Sequence, residues 1–313
     1  MNMTADIRST APMGFEAFVE EMQRRMQEEY PDSRVTVIHA DKNNDTHLTG
    51  IAVIPEGRNT APTLYMEDAY KAYLEGRSLE EITSNAVRLH EEQELAEDVP
   101  LPDVTDFAAV KDILCCRPVS REKNSGRLEA MPHRPFLDLA IIYYIPVEVP
   151  GSCGGSLTVT DQFFRLWDVD EETLYRQAME NTRRLYPVTV QSIEDVIWDM
   201  TAGEVDISGE EENGILHIPF YILRCRKGEQ TSAAAMLYGD VLQEFAAVHG
   251  SFYILPSSIY EVLLIPAGPG PADATLFGDT VKAVNREKLE PEEVLSDHVY
   301  YYHADTGEIE VLP

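Results

Sequence analysis

Basic residues are scarce in this chain. Its 313 residues hold 25 Lys and Arg against 55 Asp and Glu, a formal net charge of −30. A general polyanion repels nucleic acid phosphates and anionic lipid heads, so direct binding to nucleic acid or to a membrane is not expected. Cysteine is scarce too. The four are the adjacent pair Cys115-Cys116, then Cys153 and Cys225, and none sits in a C-x-x-C pair. So few thiols in a chain this long argue against a disulfide framework and for a cytoplasmic protein with reduced cysteines. No apolar run approaches the roughly 18 residues of a membrane span. The start, Met1 to Arg8, lacks a basic stretch followed by an apolar segment, so no signal peptide is expected.

Familiar site motifs are missing as well. There is no G-x-x-x-x-G-K-[ST], and Gly151–Gly155 lacks both the lysine and a suitable following helix, so phosphate cradling is not expected. His90-Glu91-Glu92 begins an H-E-x-x-H zinc motif without its second histidine. Neither a cofactor nor a bound metal is expected.

What is present is a foldable chain, 44% hydrophobic and 26% charged. Phe15, Phe18, Val19, Met22 and Met26 recur at helical spacing up to Tyr30-Pro31. Arg34–Ala40 and Leu48–Ile54 read as strands joined by a polar hairpin loop. Pro62 opens a second predicted helix that carries Leu64, Tyr65, Tyr70, Tyr73 and Leu74, and Gly76 ends it. Ser78-Leu79-Glu80-Glu81 is a capping box for a third helix. Further helices are expected at 107–111, 124–131, up to Trp167, 170–184, 192–200, 241–249 and 272–287. Further strands are expected at 113–119, 137–147, 157–160, 219–225, 252–256, 260–266, 299–303 and 308–312. Ala233–Tyr238 is apolar and not assigned, and 203–214 reads as an exposed acidic loop. The irregular interleaving predicts an α+β fold of mixed, mostly antiparallel sheets with packed helices. The expected organisation is a leader over 1–13, an N-terminal lobe over 14–135 and a C-terminal lobe over 136–313.

Several groups invite a chemical reading. Asp41-Lys42-Asn43-Asn44-Asp45 begins as a calcium loop does. Thr46 then stands where glycine is needed, and Ala52 where the bidentate glutamate belongs. A hairpin loop is the simpler expectation, with His39 and His47 flanking it. His298 and His303 fall on opposite faces of one strand, which keeps them from sharing a metal. Ser257 and Ser258, with Glu261 three residues on, are the most tempting nucleophile site, given a histidine such as His249 or His298. No glycine flanks the serines, so hydroxyls that satisfy backbone groups are the plainer expectation. Cys115-Cys116 lies in an apolar strand and Trp167 and Trp198 read as core anchors. Asp168, Asp170, Glu171 and Glu172 suit a helix start, as do Glu67-Asp68 and Glu292-Glu293.

Sets of short motifs run along nearly the whole chain. They are the Phe15–Met22 helix, Lys42-Asn43-Asn44 with Leu48-Thr49-Gly50-Ile51, Tyr65–Tyr73 with Gly76, and Ser78-Leu79-Glu80-Glu81-Ile82. Asp138-Leu139-Ala140, Glu180-Asn181-Thr182, Ala233-Ala234-Ala235, Leu255-Pro256-Ser257-Ser258 and Leu295-Ser296-Asp297 complete them. Together they resemble a bacterial family of unknown function that is frequent in gut anaerobes, often beside mobile-element genes. The second half is similar, more distantly, to another uncharacterised bacterial family. Neither resemblance implies a catalytic residue, cofactor or ligand.

The function expected is that of a non-enzymatic cytoplasmic factor acting through an unidentified protein partner, with a mobile-element association implied by the resemblance. One alternative is an acidic nucleic-acid mimic that occupies a DNA-binding defence enzyme. Its best regions are Glu204, Asp206, Glu210, Glu211 and Glu212, and Glu287, Glu290, Glu292, Glu293 and Asp297, the latter diluted by Lys282, Arg286 and Lys288. The other alternative is an enzyme with a site near Ser257, Ser258 and Glu261.

Overall fold

The structure is a computed structural model that describes residues 12–58, 61–93, 99, 101–148, 154–200, 219–228, 230–256, 258–268 and 274–312. Contacts divide the described residues into two compact units. The first takes those within Met1–Lys42 and His47–Pro100, the second those within Asn43–Thr46, Leu101–Val149 and Cys153–Pro313. Residues 101–135, read from sequence with the N-terminal lobe, thus pack in the second unit.

The first unit begins with helix α1 (Phe15–Glu29), which buries Phe18, Val19, Met22 and Met26 along one stripe. Strands β1 (Ser33–Asp41) and β2 (His47–Pro55) form an antiparallel hairpin in continuous register from Ser33↔Pro55 to Asp41↔His47. A third strand, β3 (Thr63–Tyr65), lies along β2. The helix expected to open at Pro62 therefore starts later, as α2 (Glu67–Leu74). Leu64 and Tyr65 instead pair with Ile51 and Gly50. Gly50 permits this approach, because a Cβ there would lie 2.4 Å from Thr63 Cγ2. Helix α3 (Leu79–Gln93) is opened by the capping box: Glu81 N donates to Ser78 Oγ at 3.3 Å and Ser78 N to Glu81 Oε2 at 3.1 Å. Ile82 and Ala86 on α3 join the α1 stripe, Ile51, Val53 and Leu64 in one core.

The second unit holds two antiparallel sheets. The smaller contains β4 (Cys115–Ser120), β5 (His133–Phe136), β6 (Leu139–Val147) and β7 (Gly155–Thr158); β6 pairs with all three others. Strand β6 is a near-continuous apolar run because both its faces are covered. The same holds for β4, so Cys115 and Cys116 are both fully buried. Cys116, Ile141, Tyr143 and Ile145 pack with Trp167, Leu174 and Ala178, while Cys115 and Tyr144 pack with Leu223, Cys225 and Ala233–Ala235.

The helices of that first face are α4 (Phe107–Val110), α6 (Asp161–Trp167) and α7 (Glu171–Leu185). A short helix α5 (Ser125–Leu128) follows β4. Asp170 caps α7 by accepting from Thr173 N at 2.8 Å. On α7, Asn181 donates to the carbonyls of Lys111 and Leu114 at 2.6 and 2.9 Å, and Thr182 Oγ1 accepts from Cys116 N at 2.9 Å. These buried polar residues tie α7 to β4 and to the segment that leads into it.

The larger sheet runs β10-β9-β12-β11-β13-β14, with β8 beside β9. Its strands are β8 (Val188–Ser192), β9 (Tyr221–Lys227), β10 (Gln230–Ser232), β11 (Phe252–Leu255), β12 (Val262–Pro266), β13 (Val299–Tyr302) and β14 (Ile309–Leu312). Helices α8 (Ile193–Met200), α9 (Gly239–His249) and α10 (Ala274–Lys288) belong to this part of the chain. The unassigned Ala233–Leu237 is a buried 3-10 turn. The architecture is α+β with antiparallel sheets, as expected. Among the described residues, no helix is long and apolar enough to cross a membrane.

Candidate functional site

The second unit contains a cavity of about 530 Å³ lined by Arg117, Tyr144, Gly154, Gly155, Ser156, Tyr186, Gln230, Thr231, Ser232 and Tyr260. Strand pairing brings its floor together. Cys115 pairs with Tyr144 and Arg117 with Ile142, so Arg117 and Tyr144 are diagonal neighbours on one face. The Arg117 guanidinium lies over the Tyr144 ring, 4.7 Å from its centroid. Tyr186, at the end of α7, donates to Gln230 Oε1 at 3.1 Å. Tyr260 donates its hydroxyl to Glu293 Oε1 at 3.2 Å. Gly154 sits at φ +76°, and a Cβ there would lie 2.5 Å from Gln230 Nε2.

Burial pushes the Tyr144 phenol well above its ordinary range and the Tyr186 phenol up to about 12, with Arg117 opposing both. Burial, then Glu293, raises Tyr260. All three phenols are neutral donors at neutral pH. Arg117 is the one charged side chain among the described residues lining this cavity.

Two sequence candidates adjoin it. The buried Ser258 accepts from Tyr260 N at 3.1 Å through its hydroxyl, and its own amide donates to Glu261 O at 3.3 Å. Glu261 is ion-paired with Arg224 at 3.0 Å. Ser257 lies outside the described residues. His249 stacks on Phe245, with ring centroids 4.3 Å apart.

A second polar cluster brings together two of the short sequence motifs, Asp138-Leu139-Ala140 and Leu295-Ser296-Asp297, that lie far apart in the chain. Asp138 occupies the turn between β5 and β6, after Leu137 at φ +55°. Its carboxylate accepts from Tyr300 OH at 2.6 Å and from Ser296 Oγ at 2.7 Å, and lies 3.0 Å from His298 Nδ1. Burial pulls the Asp138 carboxyl upward, but the bonds from Tyr300, Ser296 and His298 outweigh it and hold the group below its ordinary value. Asn285 of α10 donates to Ser296 O at 2.8 Å, and Lys123 pairs with Asp297 at 2.8 Å.

The segment expected as a hairpin loop rather than a calcium loop does join β1 to β2, through a 3-10 turn over Asn43–Asp45 with Asn44 at φ 59°. Asn43 donates to Glu292 O, and Asn44 to the carbonyls of Pro291 and Val294, each at 2.7 Å. Asp45 accepts from Gly126 N at 3.0 Å and Arg127 N at 3.3 Å, amides of the first turn of α5. His39 meets Thr49 at 3.3 Å and His47 meets Asp41 at 2.7 Å. His303 meets Glu310 at 3.0 Å. Among the described residues, no group of three or more His, Cys, Asp and Glu could hold a metal ion.

Of the acids that suggested mimicry, 204–212 lie outside the described residues. In the second group, Glu293 accepts from Glu290 N and Tyr260 OH, Asp297 pairs with Lys123, and Glu287 pairs with Arg286. Trp167 is buried and donates to Val104 O at 2.9 Å; the Trp198 side chain and Cys153 lie outside the described residues.

The groove escapes a reading of the sequence because its residues come from six separate segments, none of them a motif. A lone arginine in a strand, between Cys115-Cys116 and Pro118-Val119, is the one signal the sequence offers.

Fold and groove together define an α+β protein with a ligand-sized polar and aromatic cavity. The chain belongs to a family of unknown function, DUF5688, whose model matches residues 15–304. No match is found among curated proteins or solved structures.

Proposed function

We propose that this chain works by binding, through the groove of its second unit. The observation that carries this reading is the lining itself. Three neutral phenols, an amide and a guanidinium face a cavity whose size is typical of small-ligand sites, about 300–1,000 Å³. These groups are held in place: Glu293, outside the lining, holds Tyr260, and within the lining Gln230 holds Tyr186 and the ring of Tyr144 supports Arg117. The wider role we propose is that of a cytoplasmic accessory factor, mobile-element associated, that meets a protein partner. A small-molecule fragment screen on the full chain, read by backbone amide shifts, tests the binding reading. Hits should move the amides of Ser156, Thr231 and Ser232. Hits scattered elsewhere, or none, would overturn it.

A second reading rests on the Asp138–His298 contact. A carboxylate at Nδ1 fixes an imidazole's orientation and leaves Nε2 to act as a proton acceptor or donor. Nε2 labelling kinetics by a histidine-selective reagent, compared between the wild type and Asp138→Asn, tests whether the carboxylate activates the ring. Equal rates would remove this reading.

A further inference from the structure

We propose that the groove selects a small planar molecule bearing one carboxylate, which Arg117 receives. This rests on the binding reading above and adds the charge and shape of the ligand. The chain carries a net charge of −30, yet the described lining of this cavity contains one charged side chain, and it is cationic. Elsewhere in the same unit the arginines Arg134, Arg183 and Arg224 are each neutralised by a carboxylate, from Glu171 and Glu172, Asp240 and Glu261 in turn. Arg134 and Arg183 lie over rings as well, those of Tyr175 and Tyr238, but among the described residues Arg117 has its ring, at 4.7 Å, without a carboxylate. Stacking on a ring occupies a guanidinium's flat face and leaves its edge donors available, and that edge matches a carboxylate in a two-point geometry.

The surroundings narrow the anion. Glu293 stands behind Tyr260, and Glu148, paired with Lys227 at 2.7 Å, raises the Tyr186 phenol further. A dianion would bring two charges into these acidic surroundings with one guanidinium to offset them, whereas a monoanion is matched one for one. Tyr260, the exposed phenol of the three, supplies aromatic surface for a planar body. Ser156 and Thr231 also line the cavity and offer hydroxyls to a polar substituent.

The experiment uses three probes of similar shape on the full chain: benzoate, its neutral analogue benzamide, and phenyl phosphate. Affinities are read from amide shifts of Ser156 and Ser232. Benzoate should bind about tenfold or more tightly than benzamide, the usual span of a charge-assisted pair. Phenyl phosphate should bind more weakly than benzoate. In Arg117→Gln the benzoate preference should vanish while benzamide binding persists, and Arg117→Lys should recover it in part. Equal binding of benzoate and benzamide by the wild type would overturn the carboxylate assignment and leave the binding reading intact. Tighter binding of phenyl phosphate, or a benzoate preference that survives Arg117→Gln, would also overturn the assignment. No shift at these amides with any probe would end both.

Discussion

The hydroxyl of Tyr300 donates to Asp138 Oδ1 at 2.6 Å, joining the lead strand of the terminal hairpin to a turn 162 residues earlier. Tyr300 is fully buried, so its hydroxyl has no water to fall back on. Removing the carboxylate strands this donor together with Ser296. Asp138→Ala should therefore cost about 2–4 kcal/mol in urea unfolding. Asp138→Asn keeps one acceptor oxygen and should cost less. A loss within experimental error for Asp138→Ala would mean that the cluster contributes nothing to stability.

The same carboxylate makes stability depend on pH in a definite direction. Asp138 titrates below its ordinary value of 3.8 because Tyr300, Ser296 and His298 together outweigh the effect of burial. A group whose folded value is depressed contributes stability above its unfolded value and loses it as pH falls through the folded one. The wild type should accordingly lose its advantage over Asp138→Asn as pH falls below about 4. Unfolding curves of the two proteins should converge in acid and separate above it. Parallel curves from about pH 5 to about pH 2.5 would show that the folded and unfolded values are alike.

Thiol chemistry follows from burial on both faces of β4. Burial pushes Cys115 up to about 11 and Cys116 and Cys225 up to about 12, so none forms a thiolate at about pH 8. With Cys153 replaced by serine, the native protein should show no fast reaction with an aromatic disulfide reagent. The thiols of Cys115, Cys116 and Cys225 should all react on denaturation. A fast-reacting thiol in the native variant would place one of these cysteines outside the core.

Local pattern carries much of the fold. The α1 stripe, the β1–β2 hairpin and the Ser78–Glu81 capping box depend on residues close in sequence, and all three are legible there. Strand β3 reads as helix because Pro62 and the spacing of Leu64, Tyr70 and Tyr73 satisfy a helical pattern. What decides otherwise is the space beside Gly50, which is tertiary information. Strands β5 and β8 give no clear signal for a related reason: His133–Phe136 contains a proline, and Val188–Ser192 exposes both faces in part. The Asp138 cluster is half visible. Asp138-Leu139-Ala140 and Leu295-Ser296-Asp297 stand out as motifs, but only folding shows that the first accepts hydrogen bonds from the second. Asn181 and Thr182 stand out likewise; the first ties α7 to the segment just before β4 and the second ties it to β4 itself.

Two adjacent glycines separate the effect of the groove from that of its strand. Gly154 has φ +76°, where a side chain is strained, and a Cβ would lie 2.5 Å from Gln230 Nε2 and 2.8 Å from Val147 O. The carbonyl belongs to backbone and cannot swing aside, so Gly154→Ala must shift the strand or the glutamine. Either movement disturbs the acceptor of the Tyr186 hydroxyl. Gly155, the next residue, has an ordinary φ, and a Cβ added to it would meet nothing within 4 Å. Alanine at 155 should be nearly neutral, whereas alanine at 154 should cost about 1–2 kcal/mol, from the left-handed backbone and the close contact together. The two substitutions should also part company in ligand binding. Gly154→Ala should weaken fragment binding at Ser156 and Thr231, because Gln230 lines the same cavity, and Gly155→Ala should leave it close to wild type. Paired thermal unfolding and amide-shift titrations would read both effects. Equal behaviour of the two variants would mean that the close approach at Gly154 does not shape the groove.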